Sequence, residues 1–219
     1  MDTMVATMPG VTIRRVAVSS FDNNVYLLTS RTSGRQILID AADDPDAIKA
    51  MLADAAGDGP APRVAMIVTT HSHHDHVRAL AALAAQTGAV VVAGREDAAE
   101  ITALTGVVVD RPVDHGDTIG VDGIELAVIG LRGHTPGSIA LAYAEPGQAV
   151  ALFTGDSLFP GGVGNTWNEP DRFASLIEDV TERVFARYDD DTAVRPGHGA
   201  PTTLGAERPH LGEWRARGW

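Results

Sequence analysis

Five consecutive apolar residues, Val64 to Val68, lead through Thr69-Thr70 directly into His71-Ser72-His73-His74-Asp75-His76. A short run that is apolar at every position reads as a strand buried on both faces. The segment beyond it, Val77 to Gln86, is rich in alanine and leucine and predicts a helix. Half of the chain's eight histidines therefore fall in a strand-to-helix loop, a place where α/β proteins put ligands. Histidines at 71 and 73 on an extended backbone aim both rings to one side. Asp75 and His76, at the bend into the helix, face a second point. That spacing suits two cations about 3.5–4 Å apart, an arrangement that holds and activates a bridging hydroxide. An expression tag would lie at a terminus and lack the embedded aspartate.

The rest of the chain surrounds this loop with strands and helices in alternation. Val11 to Val18, Val25 to Thr29 and Gln36 to Asp40 read as strands, with turns at Asp22-Asn23-Asn24 and Ser33-Gly34. Pro45 to Ala56 reads as a helix, with proline in its first turn and Gly57 beyond its end. Ala89 to Ala93 is a further strand and Glu96 to Leu104 a short helix. Strands return at Ile124 to Gly130, Ser138 to Ala144 and Ala149 to Phe153. A loop with Pro160, Gly161, Gly162 and Gly164 follows, then a helix from about Asp171 to Arg187 and a strand ending near Val194. With no repeat and no linker, the expectation is one domain over residues 1–219, a mixed α/β layered fold with two sheets face to face and helices outside.

Composition narrows the chemistry. There is no cysteine, so a metal site must use histidine and carboxylate, which suits zinc, iron or manganese. The formal charge of -12 argues against a nucleic-acid partner and against docking on an anionic membrane. Met1 to Gly10 has no basic start followed by an apolar run, and no apolar stretch is long enough to span a bilayer. A cytoplasmic protein acting on a small molecule is the expectation.

One histidine cluster cannot complete two coordination shells. Three later residues offer themselves, each in a glycine-rich setting just after a strand: His134 in Gly133-His134-Thr135-Pro136-Gly137, Asp156 in Thr154-Gly155-Asp156, and His198 in Pro196-Gly197-His198-Gly199. Together with Asp22-Asn23-Asn24-Val25-Tyr26-Leu27 and Asp156-Ser157-Leu158-Phe159, this series resembles the metallo-β-lactamase superfamily, and within it the glyoxalase II-like thioester hydrolases. The resemblance spans about Val16 to Gly199. It implies an αββα sandwich and a two-metal hydrolase, with zinc the expected metal. By motif position it implies His71, His73 and His134 on one cation, Asp75, His76 and His198 on the other, and Asp156 between them. Asp75 would also orient the attacking water. Asp40, closing Leu38-Ile39-Asp40, resembles the aspartate that braces the histidine loop in that family; a strand-end cap is the alternative.

The remaining histidines have blander readings: His74 faces solvent, His115 sits in a turn, and His210 lies past the last motif. Trp167 either lines a substrate pocket or packs on the glycine-rich loop, packing being the expected role. Glyoxalase II enzymes carry a helical C-terminal region that helps bind glutathione. Here only Ala200 to Trp219 follows, with Arg208, Trp214, Arg215 and Trp219, so the thiol is left open. Two other activities fit the motifs. One is a persulfide dioxygenase with a single iron on His71, His134 and Asp156. The other is a lactonase or β-lactamase.

Overall fold

The computed structural model describes residues 4–218. Of the residues read above as leader-free or as tail, Met1, Asp2, Thr3 and Trp219 lie outside that range. Strands β1 (Met4–Thr7), β2 (Val11–Val18), β3 (Asn23–Ser30), β4 (Arg35–Ile39), β5 (Arg63–Thr69), β6 (Val90–Gly94) and β7 (Arg111–Val113) form one sheet in that spatial order. β1 to β4 are antiparallel neighbours, whereas β4 to β7 run parallel. Parallel neighbours need crossovers, and these contain α1 (Pro45–Asp54), α2 (Leu80–Thr87) and α3 (Ala98–Thr105).

The second half supplies β8 (Thr118–Val121), β9 (Ile124–Gly130), β10 (Ile139–Tyr143) and β11 (Ala151–Gly155), then a small hairpin of β12 (Leu158–Phe159) and β13 (Gly162–Val163). Helix α4 (Pro170–Val180) crosses to β14 (Ala193–Pro196), parallel to β11, and β15 (Thr202–Thr203) closes the edge. The second sheet runs β15-β14-β11-β10-β9-β8. Helices α5 (Leu204–Glu207) and α6 (Leu211–Arg217) end the described chain. No helix among the described residues is long and apolar enough to cross a membrane.

Alternation along the strands sorts the side chains into layers. Ile37 and Ile39 of β4 join Leu126, Val128, Leu141 and Phe153 between the sheets. Leu38, between them in sequence, faces the other way onto Ile48, Met51 and Leu80. On the far side Ala140, Ala142 and Leu152 pack against Leu176, Ile177, Val180 and Trp214. This is the αββα sandwich, and strands buried on both faces explain why β4 to β6 and β11 carry such apolar runs.

Several boundaries differ from the sequence reading. The helix expected from Val77 begins at Leu80. His74–His76 form a tight 3-10 turn, and the amides of Arg78 and Ala79 bond to the carbonyls of Ala42 and Ala41 instead of opening a helix. The helix expected to reach Arg187 is regular only to Val180, then widens into a π-type turn over Thr181–Phe185. The segment after His198, taken as a short tail, is folded, and its Trp214 is 1% exposed against the α4 layer.

Candidate metal centre

Strand ends at one edge of the sandwich deliver the site. β5 ends at Thr69 and leads into the histidine loop; β11 ends at Gly155, next to Asp156; β14 ends at Pro196, two residues before His198. Backbone bonds lash these ends together. Gly197 N–H donates to the Gly155 carbonyl at 2.8 Å, and Asn24 N–H to the Gly197 carbonyl at 2.7 Å. Glycine at 197 is required by the close approach: a Cβ there would stand 2.3 Å from Asp156 Oδ1 and 2.8 Å from His76 Cε1.

All seven side chains singled out in the sequence meet at this edge. His71, His73 and His134 form one group, His71, His76 and Asp156 a second, and Asp75, His76 and His198 a third, each with its ligand atoms within 4.8 Å of one another. Asp156 touches both sides: its Oδ2 lies 3.6 Å from His134 Nε2 and 3.4 Å from His198 Nε2, and its Oδ1 3.4 Å from His76 Nε2. His76 and His198 are 3.1 Å apart at Nε2. His74 is exposed beside Arg78, and His115 and His210 are exposed and remote from the cluster, as their sequence settings suggested.

The outer ring nitrogens fix the tautomers. Carbonyl oxygens only accept, so His134 Nδ1 donates to Asn165 O at 2.9 Å and His198 Nδ1 to Phe21 O at 2.7 Å. Asp40 accepts from Thr70 N, from Thr70 Oγ1 and from His76 Nδ1, at 2.7, 2.8 and 2.9 Å. Because the Thr70 hydroxyl gives its proton to Asp40, it can only accept from His71 Nδ1, 3.0 Å away. Each of these four rings thus turns its Nε2 inward, the arrangement found in metal-ligating histidines. His71 Nε2, His134 Nε2 and Asp156 Oδ1 are buried without any hydrogen-bond partner. A buried unsatisfied polar atom costs about 1–3 kcal/mol, and a cation among these atoms removes that cost. The donor set of imidazoles and carboxylates fits a divalent metal.

The electrostatics of the protein alone follow from the same contacts. Burial drives His71 far below the ordinary imidazole range and His134 down to about 4, in spite of Asp156. Burial also opposes charge on His76, but Asp40 and Asp156 outweigh it and raise that ring to about 10. His198 reaches about 10 in the same way, through Asp156 and Asp75. The hydrogen bond from His198, helped by Asn23, holds Asp75 well below the usual carboxylate range. Two imidazoles therefore begin charged at neutral pH, and metal binding must displace their protons.

Three supporting residues carry no mark in a histidine search. Asn23 Nδ2 donates to Asp75 Oδ2 at 2.9 Å from the start of β3. Asp97 is buried just before α3 and accepts from Ser72 N, Thr135 Oγ1 and Gly137 N, so it ties the histidine loop to the His134 loop. Asn165 holds His134 through its backbone. Asp40, next after β4, makes these contacts to Thr70 and His76 from a left-handed φ of 56°. Trp167, expected to pack on the glycine-rich loop, has its ring contacts with His134 at 5.4 Å and with His73, and stays 44% exposed.

Known proteins resemble this chain in sequence and in fold. The hydroxyacylglutathione hydrolase of Polaromonas sp. is 35% identical over 181 residues, which cover 82% of this chain and 63% of that protein. The chain thus spans a little over three fifths of the length of that relative. The crystal structure of ETHE1 from Myxococcus xanthus superposes with a TM-score of 0.78 at 26% identity, covering 93% of this chain and 84% of that one. TTHA1623, crystallised in a di-iron-bound form, is 29% identical with a TM-score of 0.67, over 89% of this chain and 96% of that one. The profile of the metallo-beta-lactamase superfamily matches residues 20–198, a span that takes in all seven converging side chains, and the chain belongs to that superfamily.

Proposed function

We propose that this protein is a two-metal hydrolase that cleaves thioesters of a small thiol. His71, His73 and His134 would hold one divalent cation and Asp75, His76 and His198 the other, with Asp156 within reach of both; zinc is the first choice, with iron or manganese as alternatives. The observation that carries this reading is the set of buried, unpartnered atoms, His71 Nε2, His134 Nε2 and Asp156 Oδ1, at the junction of three histidine–carboxylate groups. Cations held there would supply a water whose pKa is lowered from about 15.7 to about 7 and a Lewis acid for the scissile carbonyl. Asp75 remains ionised, steered by Asn23, and accepts the proton that the attacking water gives up. Asp40 and Thr70 keep His76 and His71 in the tautomers that ligation needs. The leaving thiolate has a parent pKa of about 8.5, so the chain needs no dedicated acid to protonate it. The name of the Polaromonas relative supports a thioester substrate.

A second reading keeps the fold and changes the chemistry: persulfide dioxygenation with one iron on His71, His134 and Asp156. The likeness to ETHE1 favours it, while the intact Asp75–His76–His198 group favours two metals. Metal analysis of the purified protein, with thioesters, lactones, β-lactams and a persulfide tested under zinc, iron and manganese, separates the readings. Two metals per chain and thiol release from a thioester are expected. One iron per chain with oxygen consumed on the persulfide overturns the hydrolase.

A further inference from the structure

Trp167 is held in an unusual way for a residue that merely fills space. It and Asn168 both adopt left-handed backbone, with φ of 54° and 59°, a conformation that side-chain-bearing residues keep only when their surroundings impose it. Asn165 Oδ1 accepts the Trp167 amide at 2.8 Å. The Arg172 guanidinium lies 4.4 Å from the indole centroid and donates to the carbonyls of Gly133, at 2.8 Å, and His134. The indole also stacks on His134, at 27° between planes, and makes a T-shaped contact with His73 at 5.4 Å. Arg172 and His134 both pack on the indole, which stays 44% exposed. On the opposite flank, Phe159 stands 6.4 Å from His198, and Phe21, whose carbonyl anchors that histidine, is 62% exposed.

At the indole itself the polar groups are turned to protein partners. Arg172 is the cation in contact with the indole, and its donors are taken by two carbonyls and by Glu169. A flat apolar group can lie against the exposed part of the indole, whereas a thiol bearing several carboxylates meets there an arginine already engaged with Gly133, His134 and Glu169.

We propose that Trp167, packed against Arg172 and His134, is a specificity-determining wall of the substrate site and selects thioesters with an uncharged aromatic or apolar body over glutathione thioesters. This rests on the thioester-hydrolase reading, and the test separates the two. Metal-loaded protein and its Trp167→Ala and Trp167→Phe variants are given a neutral arylacetyl thioester of N-acetylcysteamine and, separately, lactoylglutathione. Binding of a non-hydrolysable thioether of the aryl compound is measured by calorimetry on the same three proteins. The parent is expected to favour the aryl thioester in kcat/KM. Trp167→Ala should raise its KM and the thioether Kd about tenfold, the scale of one lost apolar contact in a pocket, with a smaller change in kcat and unchanged metal content. Trp167→Phe should recover most of the loss. A thioether Kd within twofold of the parent in Trp167→Ala, or a parent preference for lactoylglutathione, overturns the inference. Failure to cleave either thioester while the thioether still binds through Trp167 overturns the hydrolase reading instead.

Discussion

Replacing Asp40 by asparagine tests whether the centre is organised from behind its ligands. The carboxylate is 2% exposed and accepts three protons, from Thr70 N, Thr70 Oγ1 and His76 Nδ1. Asparagine is nearly isosteric and tolerates the left-handed φ of 56°. Its carbonyl oxygen can still accept Thr70 N, but its amide then points donors at the Thr70 hydroxyl and at His76 Nδ1. To avoid a donor facing a donor, His76 gives up the proton on Nδ1 and keeps the one on Nε2, the atom that faces Asp156 at 3.4 Å. That is the wrong tautomer for holding a cation. Loss of such a supporting partner costs about 10–100-fold in metal affinity, or about 1.4–2.8 kcal/mol. The fold loses less specific support, about 1–3 kcal/mol, as charged acceptors become neutral. Competition titration against a chromophoric chelator, at a temperature where circular dichroism shows both proteins folded, reads the affinity directly. A metal affinity within twofold of the parent would refute the tautomer argument, and the Asp40 contacts would be a strand-end cap alone.

Three further outcomes are expected. His73→Ala removes a half-buried ring from the His71–His134 group, so kcat/KM should fall on the order of a thousandfold, about 4 kcal/mol of barrier, with the melting temperature of the metal-free protein nearly unchanged; an unaltered rate would exclude His73 as a ligand. Gly197→Ala drives a methyl to 2.3 Å from Asp156 Oδ1, so it should weaken metal binding and lower the melting temperature together, and full metal occupancy at parental stability would contradict the close approach. Without metal, thermal stability should peak near pH 6.5. His76 and His198, raised to about 10, stabilise fully below 6.5 and lose that contribution as pH climbs through 10; His134, lowered to about 4, contributes above 6.5 and loses it as pH falls through 4. Melting curves from pH 4 to 10 in chelator that rise or fall monotonically would contradict these opposed shifts.

Much of this architecture is local and could be read in one dimension. Val64 to Val68 announced a doubly buried strand because apolar surface on both faces leaves no polar alternation. The histidine run and the glycine-flanked His134, Asp156 and His198 are short motifs whose spacing carries their chemistry. What lay beyond reach was contact between distant segments and short elements stabilised only by neighbours. β1, β7, β8 and β15 are two to four residues long and exist through their pairing partners, too short to show a period. The C-terminal helices α5 and α6 were unforeseen because the face that Trp214 covers is made by α4 and the second sheet.

The sequence by itself determined which atoms can bind a cation, since side-chain chemistry travels with residue identity. Tertiary structure alone decided their aim. The proton on His71 is directed by Asp40 through Thr70, those on His134 and His198 by backbone carbonyls 31 and 177 residues away, and the two ligand loops are joined by Asp97. Hydrogen bonds of that span form only after the sheets have stacked, because the entropy of closing such long loops is offset by the burial of the sandwich core.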